Sequence, residues 1–369
     1  MGGRVKLGVF EYARISILPA LLVSLSISAI VLAPNNVSGR SSHDPISIDG
    51  DSGFTILNGV VSGSGTPADP YLIQGWDISA LGASGAAIHI NNTMASFVIR
   101  DVSVSSTGTG TGIVLENLFN GTVEGVTVSN FDRGISFLHT DNSTIDSCGV
   151  YNSVNAGVWL YDTVNMTVRR CTFENNKDGI LILDYRWAHH KYIDGNAFVG
   201  NQCGISASVT YAAITNNSFS MNGVGLICGG GWTTVTKNLF SDSTSYAVQI
   251  VANGPSNKVW NNTFVDNNGA GASYDSSHIQ AYDDGANTHW DDGVFGNYWS
   301  DWQSPDANHD GIVDIPYNLA DNPIHLVAGS DNYPLTTEPV IPEFASMPVV
   351  TIVSLAIFLL VLVVRRRDV

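Results

Sequence analysis

Between residues 85 and 299 apolar positions alternate with polar ones, and the alternation restarts about every 22 residues. Each restart carries two short signatures. The first is a glycine followed by alternating apolar residues: Gly112-Ile113-Val114-Leu115, Gly134-Ile135-Ser136-Phe137, Gly157-Val158-Trp159-Leu160, Gly179-Ile180-Leu181-Ile182, Gly204-Ile205 and Gly225-Leu226. The second ends in a small polar residue and an aromatic: Cys171-Thr172-Phe173, Asn196-Ala197-Phe198, Asn217-Ser218-Phe219, Asn238-Leu239-Phe240 and Asn262-Thr263-Phe264. Alternation of period two marks a strand with one buried face. Val, Ile, Thr and Phe dominate these stretches, Gly, Asn, Asp and Ser punctuate them, and helix-forming runs are missing. A unit this short cannot bury its own apolar face and must stack on its neighbours. Two or three short strands per unit, stacked in parallel, predict an all-β parallel β-helix. A leucine-rich repeat has a similar period, but its fixed Leu offsets here hold Ile, Val, Phe, Ser or Ala.

Aligning the second signature gives a column: Val102, Val126, Cys148, Cys171, Asn196, Asn217, Asn238, Asn262, Asn297. Stacked coils would place these residues above one another about 4.8 Å apart. Inward asparagines there can donate and accept along the stack, so the run reads as a structural ladder. The drift from Val through Cys to Asn predicts an interior that grows more polar toward the C-terminus.

Three segments resemble a known family. They are Asn58-Gly59-Val60 with Gly63-Ser64-Gly65-Thr66 and Asp69-Pro70-Tyr71; the Gly-Ile and Asn-x-Phe repeats; and Gly296-Asn297-Tyr298-Trp299-Ser300-Asp301-Trp302 with Asp331-Asn332-Tyr333-Pro334. Together, over residues 45–335, they resemble the right-handed single-stranded β-helix of pectin-lyase-like proteins, and more closely archaeal cell-surface proteins with a NosD-type β-helix. The resemblance implies a right-handed solenoid. It also implies a role in maturing a periplasmic copper enzyme. Copper sites want clustered His, Cys or Met, and nine scattered His and five scattered Met do not supply them.

The ends differ from the middle. Arg4, Lys6 and Arg14 precede an apolar run over 15–32, so residues 1–38 read as a signal peptide or N-terminal anchor. Residues 347–369 read as a transmembrane helix with a basic Arg365-Arg366-Arg367 tail, which would leave the solenoid outside the cell, anchored at its C-terminus. Pro342-Glu343-Phe344 with that tail resembles an archaeal surface sorting signal. Between these ends the expected organisation is a capped β-helix over 45–300, a C-terminal cap over 301–335 and a linker over 336–346. A net charge of −17 argues against nucleic acid as a partner and favours cations or glycans. Sequons at Asn36, Asn91, Asn120, Asn142, Asn165, Asn216 and Asn261 would suit an exported glycoprotein.

The four cysteines, Cys148, Cys171, Cys203 and Cys228, have no C-x-x-C spacing. Cys148 and Cys171 share a column at a separation that a disulfide allows. Stacked parallel side chains rarely reach its torsion, so two buried thiols are the expectation there, and Cys228 reads as a small core residue. A calcium-type loop stands out. Asp306, Asn308, Asp310 and Asp314, with the Ile312 carbonyl and a turn at Gly311, occupy the oxygen-ligand offsets of an EF-hand, but position 12 is Tyr317 instead of Glu. A structural Ca²⁺ pinning the last coil, its shell completed by a carboxylate such as Asp301 or Asp331 or by water, is the expectation, and an Asx-rich turn without an ion is the alternative. A second row, five residues past each signature glycine, holds Asn117, His139, Asp162 and Asp184. Asp162, Asp184 and His139 are therefore the candidate catalytic residues, beside an insertion containing Tyr185, Trp187, His189 and His190. Paired carboxylates with aromatics suit a glycosidase or a sugar-binding face. Asx turns explain the same residues without catalysis, and the polygalacturonase signatures Asn-Thr-Asp, Gly-His-Gly and Arg-Ile-Lys are missing. The reading that follows is a cell-surface, non-catalytic glycan-binding or adhesive solenoid, with Tyr151, Trp159, Tyr161, Tyr185, Trp187 and Tyr211 as sugar-stacking candidates. The alternatives are a polysaccharide hydrolase or lyase and a NosD-like copper-enzyme accessory.

Overall fold

The computed structural model describes residues 39–80, 85–107, 109–184, 190–208, 211–251, 256–285, 287–320 and 329–339. The signal or anchor expected over 1–38 and the transmembrane segment expected over 347–369 lie outside these residues. Among the described residues, no helix is long and apolar enough to cross a membrane.

Three long sheets run along the molecule. Sheet 1 has 11 strands, from Ser41–Ser42 to Tyr298–Trp299; sheet 2 has 10, from Ile46–Asp49 to Ala281–Asp283; sheet 3 has 10, from Val60–Ser62 to Lys258–Trp260. One coil shows the path. Arg133–Leu138 lies in sheet 2, Thr144–Asp146 in sheet 3 and Gly149–Tyr151 in sheet 1, before the chain returns to sheet 2 at Ala156–Tyr161. All pairing within the sheets is parallel except at the start of sheet 3, where Val60–Ser62 runs antiparallel to Tyr71–Gln74. This is the expected parallel β-solenoid.

Register puts like on like. In sheet 3 the inward column reads Ile73, Ile99, Val123, Ile145, Val168, Ile193, Ile214, Val235, Val259, all buried. In sheet 1 it changes from Val to Phe at residue 173, and the Phe173, Phe198, Phe219, Phe240 and Phe264 rings stack with centroids 4.5–5.2 Å apart. Trp299 and Tyr317 continue the stack at 4.2 and 4.0 Å. The signature glycines have a steric cause. A Cβ on Gly112, Gly134, Gly157, Gly179 or Gly204 would sit 2.5–2.7 Å from the carbonyl oxygen of the glycine one coil on.

The asparagine column is a ladder, as the sequence predicts. Asn196, Asn217, Asn238 and Asn262 each donate Nδ2 to the next rung's Oδ1 at 2.9–3.0 Å. Each Oδ1 also accepts the backbone N–H of the rung before it. Cys148 and Cys171 form the upper rungs, with the Cys148 N–H donating to Cys171 Sγ at 3.4 Å and both thiols free. A second ladder, not anticipated from sequence, follows the sheet 1 strands. Asn176 donates to Asn201 and Asn201 to Asn222; after a break at Ser243, Asn267 donates to Gln280. Its sequence signal was a polar residue three positions after each sheet 1 core residue: Ser153, Asn176, Asn201, Asn222, Ser243, Asn267.

Breaking a rung should be felt by two coils. Asn238→Ala strands the Asn217 backbone N–H and side-chain amide and the Ile214 carbonyl in the interior. Urea unfolding should report a loss of about 2–4 kcal/mol, since each buried polar group left unpaired costs about 1–3 kcal/mol. Asn261→Gly, one residue before a rung and at a φ of 56° that glycine also accepts, should change stability by under about 0.5 kcal/mol. Equal effects at the two positions would refute the ladder's role.

Candidate functional site

The corner between sheets 2 and 3 is where the candidate residues gather. Each of three successive coils turns this corner on two left-handed residues: Asn117 and Asn120, His139 and Asn142, Asp162 and Asn165, with φ between 50° and 61°. Asn and Asp tolerate this conformation better than most residues, which explains their recurrence. It also explains part of the sequon pattern. Asn120, Asn142 and Asn165 stack in register, and the Thr two residues after each begins or lies in a sheet 3 strand with its side chain outward. Asn165 donates Nδ2 to Asn142 Oδ1 at 3.0 Å.

The first left-handed residue of each turn forms the expected row. Asn117 Nδ2 donates to Asn92 Oδ1, and His139 Nδ1 lies 3.4 Å from Asp162 Oδ2. His139 is half exposed and meets the Tyr161 ring edge-on at 5.4 Å. Trp159 follows Tyr161 at 5.4 Å, with the Arg133 guanidinium 3.9 Å over its ring. Asp184 breaks the expectation of a paired-carboxylate site. Its side chain is 2% exposed and forms an ion pair with Lys191 at 2.7 Å, while Oδ1 accepts the Thr163 N–H at 3.1 Å. A glycosidase pair needs two carboxylates facing substrate, and Asp184 faces the interior.

Lys191 was missed in sequence. It shares register with Met166 and Ala212, both buried, so a lysine here points inward. Burial pulls its ammonium below the usual lysine range, and Asp184 opposes that shift. Nζ also donates to the Thr163 carbonyl at 2.6 Å. Asp184 and Lys191 flank the insertion, so the pair ties both of its stems to the preceding coil. Tyr185, Trp187 and His189 lie outside the described residues.

By register, the row of Asn165 continues as His190, Tyr211 and Trp232. Tyr211 and Trp232 stack at 4.9 Å and 9°, with His190 5.6 Å from Tyr211. Both rings sit at positive φ, 64° and 51°, which costs a bulky residue about 1–2 kcal/mol. Trp232 is 42% exposed although one face lies on Tyr211, and the next residue in the row is the small Ser256. Tyr192, 49% exposed, stands beside the row. Of the six aromatics expected to face outward, Tyr211 is exposed, Tyr151, Trp159 and Tyr161 are half-buried, and Tyr185 and Trp187 are not described.

The calcium-type loop is folded on its own backbone. Asp306 accepts the N–H groups of Asp310 and Gly311, Asp310 that of Ile312, Asn308 that of Asp310, and Asp314 that of Ala307. Gly311, at φ 88°, makes the sharp turn. The loop borders an open depression of about 420 Å³ with Val294, Asn332 and Tyr333. Among the described residues no three His, Cys, Asp or Glu side chains converge at metal-binding distance. Among the described residues a copper donor set is not assembled either. All four thiols are inside the solenoid, and burial pushes Cys203 up to about 12 and Cys171 well above its usual value. Among the described residues, protonated buried thiols and dispersed imidazoles form no soft-metal cage.

Comparison with known proteins gives the family. The model of a family described as periplasmic copper-binding protein (NosD) matches residues 28–208 and 84–304. A Stutzerimonas stutzeri protein described as a probable ABC transporter binding protein NosD is 31% identical over 130 residues. The match covers 31% of this chain and only 28% of that protein. Among solved structures, ORF18 of Geobacillus virus E2 is 13% identical with TM-score 0.49, covering 78% of this chain and 71% of its own. An alginate lyase from Paenibacillus sp. str. FPU-7 is 15% identical with TM-score 0.48, covering 69% and 98%.

The buried ion pair makes a testable demand. Lys191→Met leaves Asp184 charged and unpaired inside the corner and should destabilise the protein by about 3–5 kcal/mol in denaturant unfolding. Adding Asp184→Leu should recover most of that loss. A double variant no more stable than Lys191→Met would show that the pair is not what holds the corner.

Proposed function

The chain belongs to the NosD family, and from that premise we propose that it is an extracytoplasmic β-solenoid that binds polysaccharide along its sheet 2–sheet 3 corner. The carrying observation is Trp232: a large, exposed ring at a strained backbone position, stacked on one face and followed in its row by a serine. Strain of this kind persists where the surrounding structure imposes it, often at binding sites. An indole face open to solvent suits the apolar face of a pyranose, and Tyr211 and Tyr192 add hydroxyls beside it. The asparagine row Asn120, Asn142, Asn165 extends the strip with amide donors and acceptors suited to sugar hydroxyls. The family's description as copper-binding finds no matching donor set among the described residues, so no copper step is assigned.

Affinity electrophoresis of the full chain against a panel of neutral and acidic polysaccharides tests the reading. Trp232→Ala should weaken binding about ten-fold or more, the loss of about 1.4 kcal/mol. Tyr151→Ala, on sheet 1, should leave it unchanged. Binding to none of the panel, or undiminished binding by the Trp232 variant, would sink the proposal.

A second reading, hydrolysis or elimination at the same corner, is favoured only by the His139–Asp162 contact beside Tyr161. It requires His139 to act as an acid or base without Asp184. Polysaccharide cleavage abolished by His139→Ala would establish it, and intact polysaccharide after prolonged incubation would dismiss it.

We further propose that the 306–314 loop takes Ca²⁺, with Asp306, Asn308, Asp310, the Ile312 carbonyl and Asp314 as ligands. Its side chains must swing from their backbone partners toward one centre. A loop that binds only when folded should stabilise the cap by about 2.7 kcal/mol at a hundredfold excess of ion over Kd. Asp310→Ala should erase that dependence. Hydrogen exchange of residues 296–334 that is indifferent to chelator would mean the loop is only a turn.

A further inference from the structure

Near the corner between sheets 3 and 1, two arginines each have a carboxylate of their own. Arg100 pairs with Glu124 at 3.1 Å and Arg40 with Asp101 at 2.9 Å. Asp146 instead takes two arginines. Its Oδ2 accepts from Arg169 Nε and Nη2, both at 2.9 Å, and from Arg170 Nη2. Its Oδ1 accepts from Arg170 Nε at 2.8 Å and from the Ser147 hydroxyl at 2.9 Å. Burial opposes ionisation of Asp146, but the hydrogen bonds from Arg170, Ser147 and Arg169 outweigh it and hold the carboxyl below its usual range. One negative charge is thus shared by two positive ones.

Asp146 is buried, whereas the Arg169 and Arg170 side chains are 47% and 59% exposed. Each arginine engages Asp146 through Nε and Nη2, so its Nη1 remains to donate. Arg170 stands at φ 55°, a left-handed conformation that disfavours a long side chain. The same corner position one coil on is Gly195, where a Cβ would meet nothing within 4 Å, so the space beside Arg170 is open. Asp194, in register with Arg169, turns the other way: its Oδ1 accepts from the Thr215 hydroxyl and Asn216 Nδ2, both at 2.7 Å. Met166 and Val168 are buried, so Thr167 and Arg169 face outward, and register sets Tyr192 beside Thr167. Arg169 and Tyr192 are therefore diagonal neighbours on one face, about 8 Å apart. The aromatic row and the arginine pair bound the two edges of the outer face of sheet 3.

We propose that Arg169 and Arg170 form a carboxylate-binding subsite of the polysaccharide strip, and that the polymer it takes is a polyuronate. The inference rests on the polysaccharide reading above and names its substrate class. A guanidinium edge meets a planar carboxylate with two parallel N–H···O bonds. Asp146 already holds both arginines, so little rotamer freedom is lost when a second carboxylate arrives. A uronate ring lying over Tyr192 has its carboxylate directed at Arg169. The chain's net charge of −17 repels a polyanion from most of its surface, so the pair also fixes where along the solenoid such a polymer lies.

Calorimetric titration of the full chain with polygalacturonate and with its methyl ester compares one backbone with and without charge. The native chain should prefer the acid about three-fold or more at about 0.15 M salt, the range of a partly exposed charge pair, and lose that preference at about 1 M. Arg170→Gln leaves Arg169 on Asp146 and should remove most of the preference. Asp194→Asn keeps an oxygen for Thr215 and removes a nearby like charge, so it should raise the preference about two-fold. Trp232→Ala should weaken both polymers alike and leave their ratio unchanged. Binding of neither polymer, or undiminished binding of both by the Trp232 variant, would sink the polysaccharide reading and this one with it. Where binding holds, equal affinity for acid and ester, or a preference that survives Arg170→Gln, would overturn the uronate assignment alone.

Discussion

Backbone groups that turn inside a solenoid have no strand to pair with, and the two side-chain ladders exist to meet that need. Where Asn196, Asn217, Asn238 and Asn262 sit, the chain passes between sheets 3 and 1 with its peptide groups buried. Each Oδ1 takes a backbone N–H from the coil before, and each Nδ2 gives to a carbonyl further up: Asn196 to Val168, Asn217 to Ile193, Asn238 to Ile214. One side chain thus satisfies two backbone groups and itself. The spacing this imposes lets the phenylalanine rings of sheet 1 stack and brings the signature glycines against each other's carbonyls. The polar interior and the apolar core share one repeat distance and cannot vary independently.

The corner carrying the candidate site follows from the same stacking. A residue repeated once per coil becomes a row, so a chemical feature acquired by one coil is presented beside its counterparts. Asparagines make an amide row in three coils, and His190, Tyr211 and Trp232 turn the same row aromatic. The insertion between Asp184 and Lys191 emerges beside that change. The ion pair at its base ties down Thr163, next to Asp162, and Lys191 itself follows His190. One buried contact thereby holds both the His139–Asp162 pair and the start of the aromatic row in place.

Family membership and local chemistry point in different directions. The family's description names copper, yet the cysteines serve as ladder rungs or core residues and the histidines are dispersed.

Much was legible in the chain itself, because in a solenoid the repeat is the structure. The period-two alternation named strands, the 22-residue restart named the coil, and the Val-to-Cys-to-Asn column named the first ladder rung by rung. The row Asn117, His139, Asp162, Asp184 was likewise found by counting from the glycines. What counting could not supply was the direction a side chain takes once in its row. Asp162 and Asp184 look equivalent in sequence, but Asp184 turns inward because Lys191 occupies an interior position and needs a counter-charge. Trp232 and Tyr211 gained their importance only from register, since 21 residues separate two rings that lie 4.9 Å apart. The second ladder's asparagines resemble any turn residue until stacking aligns them. Asp301 and Asp331 read as cap residues, and only the folded chain shows that they accept from Gln280 and Asn297 in the interior.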